Sequence, residues 1–355
     1  MAKKNGEIVQ NPDRSLMKNL DNINCDYSLI FPQIKDWKEL GSPYKLQKLI
    51  NLPVSASRGC PFLCTFCAVH ELWEKTYRGL SPEELVNRLK KLSSDYNIGY
   101  FRFYDALFTA NTERMMKFCD LIEKNNLKIR FRIDIRVGTS REVLRRLKEV
   151  GCEVVGFGVE SGSDKILKRI NKKTTRNQIE ETIKLCKELG YWIHGFFMIS
   201  LPDETSEDIE KTFGLFKYFD EMNVQFFKIH PNTNFYNELV KKGEINDEVW
   251  FDTNYGFKTK YGSEAYYCKE IFPSANFYKK EVEAIIHKVN YNYIIHYPKK
   301  TIRKYGLVKS IVILFLAFMA DIMLKYKVGR ELYFKLENKD IPKRFYNWFI
   351  RKYKK

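Results

Sequence analysis

Short apolar stretches alternate with amphipathic stretches about six times between residues 52 and 230, and this alternation constrains the fold more than any other feature. Each apolar stretch has the length of a buried strand, and each amphipathic stretch has the period of a helix. Strands and helices in alternation predict a parallel sheet with right-handed crossovers. Six units are too few for a closed eight-stranded barrel, so we expect an α/β fold that forms an open or partial barrel.

Cap and turn residues delimit the expected elements. Ser81 precedes Pro82 and stands three residues before Glu84, which is the pattern of a helix start. Gly151 and Gly190 follow two amphipathic stretches and predict helix ends. The expected strands are residues 54–57, 99–104, 128–135, 153–159, 192–199 and 224–230. The expected helices are residues 81–92, 111–124, 140–150, 164–170, 176–189 and 206–221.

The chain divides into four expected segments. Residues 1–50 are polar and punctuated by proline, which predicts an extended segment that lies on the body. Residues 51–235 would form the partial barrel, residues 236–297 a mixed extension, and residues 298–355 a helical tail. The net charge of the chain is +17, and residues 299–355 supply +12 of it, with 16 basic and 4 acidic side chains. The body is therefore nearly balanced in charge.

The tail combines this charge with apolar and aromatic side chains. Its longest apolar run, residues 311–320, is shorter than the roughly 20 residues that span a bilayer. Residues 1–20 contain no secretory signal. We expect a cytoplasmic protein, and because basic amphipathic helices bind anionic membrane surfaces, contact with the inner face of the membrane is one expectation for the tail. The alternatives are that the apolar run packs on the barrel, or that the tail binds nucleic acid, which no RNA-binding motif favours.

Three of the eight cysteines stand close together, directly after the first expected strand. Cys60, Cys64 and Cys67 have the spacing C-x3-C-x2-C, whereas the other five are scattered singly. Scattered cysteines do not indicate a disulfide framework, and three thiolates on one loop can bind one metal centre. A [4Fe–4S] cluster held by three cysteines keeps one iron free for a ligand. The alternatives are a zinc site with His70 as fourth ligand, in a basic binding module, and three unrelated buried thiols.

The cysteine loop of this six-unit α/β chain resembles that of the radical S-adenosylmethionine (radical SAM) enzymes, over about residues 50–235. The resemblance implies a partial (β/α)6 TIM-like barrel with a [4Fe–4S] cluster at its mouth, where the open iron binds SAM. Reductive cleavage of SAM would yield a 5′-deoxyadenosyl radical that abstracts hydrogen, with a reductant such as flavodoxin or ferredoxin. Phe66 matches the aromatic position that lies beside the adenine in this family.

The second and third strands end in residues that resemble SAM-binding positions of the family. Asp105, at the end of the second strand, would meet the SAM ammonium group. Arg136, at the end of the third strand, would bind the SAM carboxylate, and Arg130 and Arg132 are expected on the opposite face. The alternatives are a loop cap for Asp105 and an exposed salt bridge for Arg136.

The later strand ends carry both matches and departures. Glu160 and Ser161 stand in a stretch that resembles the family's G-x-E-S-G motif, which implies hydrogen bonds to a ribose or an amine of SAM. Ser200 and Asp203 replace glycines that the family usually has after the fifth strand, and Asn232 likewise replaces a glycine after the sixth. These departures put the backbone geometry of both loops in doubt.

The nearest resemblance within the family is to cobalamin-dependent enzymes that act on lipids, tetrapyrroles or small metabolites. Such enzymes carry an N-terminal cobalamin domain, for which 50 residues are too few, although residues 6–14 and 19–21 resemble the linker that follows it. We therefore expect an enzyme that works without bound cobalamin or receives it from another chain. It would modify an unactivated carbon of a small-molecule or lipid-like substrate, by methyl transfer or rearrangement. A radical SAM enzyme that modifies tRNA is the alternative.

Overall fold

The structure is a computed structural model, and it describes most of the first 245 residues and a few later stretches. The described residues are 2–4, 7–9, 14–31, 49–245, 267, 269, 273–277, 279–286 and 307–325. Most of the expected mixed extension and of the basic tail therefore lies outside the described residues.

Six parallel strands form the main sheet, in the order β10-β9-β8-β7-β6-β3. Two antiparallel hairpins, β1 with β2 and β4 with β5, stand apart from it. The strands are β1 Ala2–Lys4, β2 Glu7–Val9, β3 Asn51–Val54, β4 Ser57–Gly59, β5 Tyr77–Gly79, β6 Tyr100–Phe103, β7 Arg130–Ile135, β8 Cys152–Glu160, β9 Trp192–Ile199 and β10 Glu221–Phe226. The six parallel strands form a curled half-barrel, so the expected partial barrel is confirmed.

The helices are α1 Val69–Leu72, α2 Pro82–Tyr96, α3 Thr112–Lys124, α4 Arg141–Glu149, α5 Asp164–Arg169, α6 Arg176–Glu188, α7 Ser206–Phe216, α8 Asn234–Lys241 and α9 Leu307–Lys325. Helices α2 to α7 contribute to the core on one face of the sheet. The main core joins strand residues such as Phe131 and Phe157 to helix residues such as Leu89, Leu144 and Ile183. Because side chains alternate along a strand, the intervening residues point to the other, interior face of the half-barrel.

Most helices begin where the sequence predicts a cap. Ser81 accepts a hydrogen bond from Glu84 N at 3.1 Å, and Asn111 accepts one from Arg114 N at 2.8 Å. Thr175 forms a capping box with Gln178, in which each side chain bonds the other's backbone N–H. Such caps satisfy N–H groups that the first helical turn leaves without a partner.

The expected limits of α7 and β10 are wrong. The expected helix at residues 206–221 ends at Phe216, and the expected strand at residues 224–230 is Glu221–Phe226. The chain turns here because Asp220 anchors it to β9. Its backbone N–H donates to Ile193 O at 3.0 Å, and its carboxylate accepts from Ile193 N at 2.9 Å. The first expected strand, residues 54–57, is also displaced, because it runs from the last residue of β3 to the first residue of β4.

The N-terminal segment packs on the body at residues 17–29. Leu20 is buried in the main core, and Asp21 accepts a hydrogen bond from Ser81 N at 2.8 Å. Arg78 donates to Met17 O at 2.7 Å. Between this segment and β3 lies a cleft of about 420 Å³. At the other end of the chain, no helix among the described residues is both long and apolar enough to cross a bilayer.

Candidate functional site

The three clustered cysteines lie on the loop between β4 and α1, at the edge of the half-barrel where the parallel strands end. Cys64 is buried, and Cys60 and Cys67 are half-buried. Cys67 N donates to Cys64 O at 3.1 Å, which bends the loop into a turn. The loop begins at Gly59, whose φ is +85°, and a Cβ there would lie 1.9 Å from Thr76 O. Glycine is therefore required at the position before the first cysteine.

Backbone hydrogen bonds fix this loop to later parts of the chain. Thr65 N donates to Ile170 O at 3.0 Å, and Thr65 O accepts from Phe235 N at 3.0 Å. Asn171 Nδ2 donates to Leu63 O at 2.7 Å. The segment after α5 and the start of α8 thus position the cysteines, which are far from both in sequence.

Two cationic side chains stand beside the cysteines. Arg136 lies over the ring of Phe62, with Cζ 3.5 Å from the centroid, and it donates a hydrogen bond to Lys172 O. Burial raises the pKa of the Cys64 thiol, while the charges of Lys172 and Arg136 oppose that rise. Arg136 is therefore a neighbour of the cysteine loop rather than part of an exposed salt bridge. Its contact with the SAM carboxylate stays a prediction.

Glu160 ends β8 with its backbone in the left-handed region, at φ +63°. Its carboxylate pairs with Lys172 at 2.7 Å, and both side chains are largely buried. A Cβ on Gly158 would lie 2.2 Å from Glu160 Oε1 and 2.8 Å from Lys172 Nζ, so this glycine makes room for the ion pair. The sequence patterns do not single out Lys172.

Asp105 is buried beneath the start of the cysteine loop. It accepts hydrogen bonds from Ala56 N at 3.1 Å and from the Ser57 hydroxyl. Burial raises its pKa to about 6, against the effect of these hydrogen bonds. Asp105 thus holds the backbone that leads into β4, and the cap of the following helix is Asn111 instead. A contact between Asp105 and the SAM ammonium group stays a prediction.

Ser161 and Phe66 have different surroundings. Ser161 is fully buried, its hydroxyl lies 3.2 Å from Thr212 Oγ1, and it accepts a hydrogen bond from Ser163 N at 3.2 Å. Phe66 is half-buried and packs edge-on against Phe227, with centroids 6.4 Å apart. Ser161 already has protein partners, whereas Phe66 lies on the cysteine loop and has an accessible side.

The glycine replacements in the later loops adopt the backbone that glycine favours. Ser200, Asp203 and Asn232 have φ values of +69°, +62° and +64°. In the loop after β9, the buried Glu204 carboxylate stabilises this backbone. It accepts hydrogen bonds from Ser200 N at 2.7 Å and from Leu201 N at 3.1 Å. The loop geometry that the sequence left in doubt is therefore kept by strained residues and a buried carboxylate.

Polar side chains also line the interior face of the sheet. Arg132 and Asp134 lie there on β7, so the expectation that Arg132 faces away from this side is wrong. Residues two apart on a strand share a face, and this rule places Arg130 and Arg132 with Asp134. His194 of β9 lies in the same row as Asp134, opposite Glu221 of β10.

The donor set of the cysteine loop fits an iron–sulfur cluster better than a single ion. Among the described residues, no three His, Cys, Asp or Glu side chains converge on one metal position. His70, which would complete a zinc site, is buried against Glu71, with Nε2 3.3 Å from Oε1. In a [4Fe–4S] cluster each thiolate binds its own iron, so the three sulfurs need not converge. Cys60, Cys64 and Cys67 would hold the cluster, and Lys172 and Arg136 would offset its negative charge.

Comparison with known proteins gives the same picture. Residues 54–216 match the model of the radical SAM superfamily. The chain is 36% identical over 225 residues to an uncharacterized methyltransferase of Pyrococcus horikoshii, covering 63% of this chain and 47% of that protein. It is 27% identical over 252 residues to the anaerobic magnesium-protoporphyrin IX monomethyl ester cyclase of Rubrivivax gelatinosus. That match covers 69% of this chain and 44% of that protein. The chain spans about half the length of these curated relatives.

The fold has a counterpart among solved structures. The cobalamin-dependent S-adenosylmethionine radical enzyme OxsB, with aqua-cobalamin and S-adenosylmethionine bound, superposes with a TM-score of 0.55. The match covers 82% of this chain and 50% of that one, at 20% sequence identity, and so it concerns the fold. The half-barrel, the cysteine loop and the sequence match all point to the radical SAM superfamily. Its members use a [4Fe–4S] cluster and SAM, so this match implies both cofactors. Residues 54–216 thus match the radical SAM superfamily, and the half-barrel resembles in fold a cobalamin-dependent enzyme of that type.

Proposed function

We propose that this protein is a radical SAM enzyme that modifies an unactivated carbon of a small-molecule substrate. The observation that carries the proposal is the loop of Cys60, Cys64 and Cys67, positioned at the mouth of a six-stranded half-barrel beside Lys172 and Arg136. A bound cluster would supply one electron to SAM, whose cleavage gives a 5′-deoxyadenosyl radical.

The residues around the loop would bind and orient SAM. Glu160 ends β8 and Phe66 lies on the cysteine loop, and we assign them to the polar groups and the adenine of SAM. Arg136 would bind the SAM carboxylate, and Asp105 would bind the SAM ammonium group. Ser161 would act through its backbone, since its hydroxyl is engaged with Thr212.

Methyl transfer is the reaction that the relatives favour, because one of them is described as a methyltransferase. The relative described as a cyclase supports a ring-forming or rearranging outcome as the second candidate. A flavodoxin or ferredoxin would donate the electron. If the reaction uses cobalamin, methylation should depend on added cobalamin or on an added cobalamin-binding protein.

Anaerobic reconstitution tests the proposal. The purified chain should take up iron and sulfide, and with SAM and a reductant it should form 5′-deoxyadenosine. Cys64→Ala should lose both properties. Cys25→Ala is the matched control, because Cys25 is exposed and far from the loop in sequence, and it should keep both. A wild-type protein that binds no cluster, or that forms no 5′-deoxyadenosine once it has one, would refute the function.

We further propose that α9 rests on an anionic membrane surface. Four large apolar side chains are exposed along it, Ile311, Phe315, Phe318 and Met319, and their spacing places them on one helical face. The surrounding residues 299–355 carry a net charge of +12 (16 basic less 4 acidic). An exposed apolar face within a basic segment suits the interface of an anionic bilayer.

Liposome flotation tests the membrane contact. The wild type should float with vesicles that contain anionic lipid, and high salt should release it. Phe315→Glu should abolish flotation, whereas Lys217→Glu, a charge reversal on the body, should keep it. Equal flotation of the two variants, or none by the wild type, would count against this contact.

A further inference from the structure

The interior face of the half-barrel carries a line of ionisable side chains that the cysteine loop does not use. Strand register places Asp134, Gly156, His194 and Glu221 side by side across four strands. Arg132 stands two residues before Asp134 on β7, on the same face. We call Arg132, Asp134, His194 and Glu221 the interior row.

Several polar atoms of the interior row have no hydrogen-bond partner within the described part of the chain. Arg132 is only 3% exposed, and its Nη2 lies 3.7 Å from Asp134 Oδ1, which is beyond hydrogen-bond distance. Neither ring nitrogen of His194 makes a hydrogen bond there, although Nδ1 lies 3.4 Å from Glu221 Oε2. Burying such groups without partners is costly, so a native structure that keeps them requires an explanation.

The surrounding residues shape the interior row, and Asp134 is its most exposed member. A Cβ on Gly156 would lie 2.2 Å from Asp134 Oδ1 and 3.3 Å from Arg132 Nη2, so only glycine permits this arrangement. Phe196 forms an apolar wall, with its ring stacked on His194 at 4.7 Å and beneath Arg132 at 5.9 Å. About one third of the Asp134 side chain is exposed. The row thus combines a polar floor, an aromatic wall and an opening, as ligand sites do.

Stabilisation of the fold does not account for these charges. A buried ion pair repays its desolvation only with excellent geometry and further hydrogen bonds. The Arg132–Asp134 pair has a long contact, and Arg132 Nη2 and Asp134 Oδ1 remain without hydrogen bonds to the described residues. Apolar side chains at these two positions would stabilise the sheet at least as well.

We propose that the interior row binds the substrate, and that the substrate presents an oxyanion to Arg132 and an adjacent O–H or N–H donor to Asp134. The guanidinium needs an acceptor and the carboxylate needs a donor, so one polar ligand satisfies both. A carboxylate or a phosphate beside a hydroxyl or amine has this chemistry. The polar end of the substrate then lies deep in the half-barrel, and the carbon to be modified faces the mouth. This assignment rests on the proposed radical SAM function.

Small oxyanions test the site without knowledge of the substrate. The melting temperature of the reconstituted full-length protein is measured in acetate, phosphate and chloride at equal ionic strength, up to about 100 mM. For the wild type we expect an oxyanion-specific rise of about 3 °C over chloride. Arg132→Gln should lose this excess, and Asp134→Asn should increase it by removing the nearby negative charge. Arg130→Gln, on the same strand but paired with Glu153 at its exposed start, should keep it.

The comparison between variants cancels the general effect of salts on stability. The larger response, to acetate or to phosphate, identifies the oxyanion class of the substrate. An equal excess in the wild type, Arg132→Gln and Asp134→Asn, or no excess in the wild type, would overturn the site. If Arg132→Gln does not fold, the rise expected for Asp134→Asn still decides the matter. Formation of 5′-deoxyadenosine by the wild type tests the radical SAM function separately, so failure of one proposal is distinguishable from failure of the other.

Discussion

A single buried carboxyl group, that of Glu204, links the loop after β9 to the pH dependence of stability. Burial raises its pKa from 4.5 to about 8, against the effect of the Ser200 and Leu201 N–H groups. Between these two values the folded state binds more protons than the unfolded state. The free energy of unfolding should therefore fall as the pH rises through this interval.

Replacement of Glu204 by glutamine should remove this dependence. The amide oxygen still accepts the two backbone hydrogen bonds, and the side chain stays neutral at every pH. We expect Glu204→Gln to melt at a higher temperature than the wild type near pH 8, and at about the same temperature near pH 5. Thermal unfolding across this range measures the effect. Glu207→Gln is the control, because Glu207 is exposed on α7, and it should follow the wild-type profile.

Substitution of Gly158 tests the environment of Glu160. An alanine Cβ there would meet both members of the Glu160–Lys172 pair, so the carboxylate must move. We expect Gly158→Ala to weaken SAM binding by about tenfold or more, measured by calorimetry on the reconstituted protein. Gly214→Ala, in the last turn of α7, should leave SAM binding intact and raise stability by up to about 0.5–1 kcal/mol. Unchanged binding in Gly158→Ala would remove Glu160 from the SAM site.

At this scale the sequence identified the cysteines but not all of their neighbours. Cysteine spacing is a local signal, and the loop is where it predicts. Lys172 reaches the loop through the turn after α5, which sequence order does not display. The prediction that Arg132 and Arg136 lie on opposite faces was wrong for a simpler reason. The two residues are four apart, and residues an even number apart share a face on an extended strand.

The loop between β9 and α7 shows how an element keeps its shape without glycine. Ser200 sits at φ +69°, and its hydroxyl donates to Tyr267 O at 2.6 Å. A pair of substitutions separates strain from hydrogen bonding. Ser200→Ala removes the hydrogen bond and keeps the strain, whereas Ser200→Gly removes both.

We therefore expect Ser200→Ala to be less stable than Ser200→Gly by about 1 kcal/mol. Urea unfolding of the two variants with the wild type gives this difference directly. Equal stabilities would show that the backbone at this position is not left-handed in solution.

Helix starts were predictable at this scale, and one helix end was not. Ser81, Asn111 and Thr175 cap their own helices, so the signal is confined to a few neighbouring residues. The end of α7 depends on Asp220, which bonds Ile193 on the adjacent strand. That contact joins residues far apart in sequence, so the hydrophobic periodicity of the helix does not predict it.

For the whole molecule, the packing of residues 17–29 on the body is the main long-range feature. Leu20 enters the core beside α2, and the Asp21 backbone carbonyl accepts from Arg88 at 3.0 Å. Leu20→Ala should cost about 2–5 kcal/mol and expose the first 30 residues to limited proteolysis. Met17→Ala is the control, since Met17 is 41% exposed, and its digestion should match the wild type. A Leu20→Ala protein with wild-type stability would mean that the segment does not pack there.

The open shape of the half-barrel has a consequence for self-association. Among the described residues the six-stranded sheet does not close, which leaves two edges, and β3 forms one of them. The carbonyl of Ile50 accepts a hydrogen bond from Tyr100 N in β6, and that of Val54 accepts one from Tyr104 N just after β6, so Pro53 directs its nitrogen away from the sheet. A proline nitrogen carries no hydrogen to donate, and the strand is only four residues long. An incoming strand from another copy would find a broken ladder, so this edge resists edge-to-edge aggregation while the interior stays open to ligands.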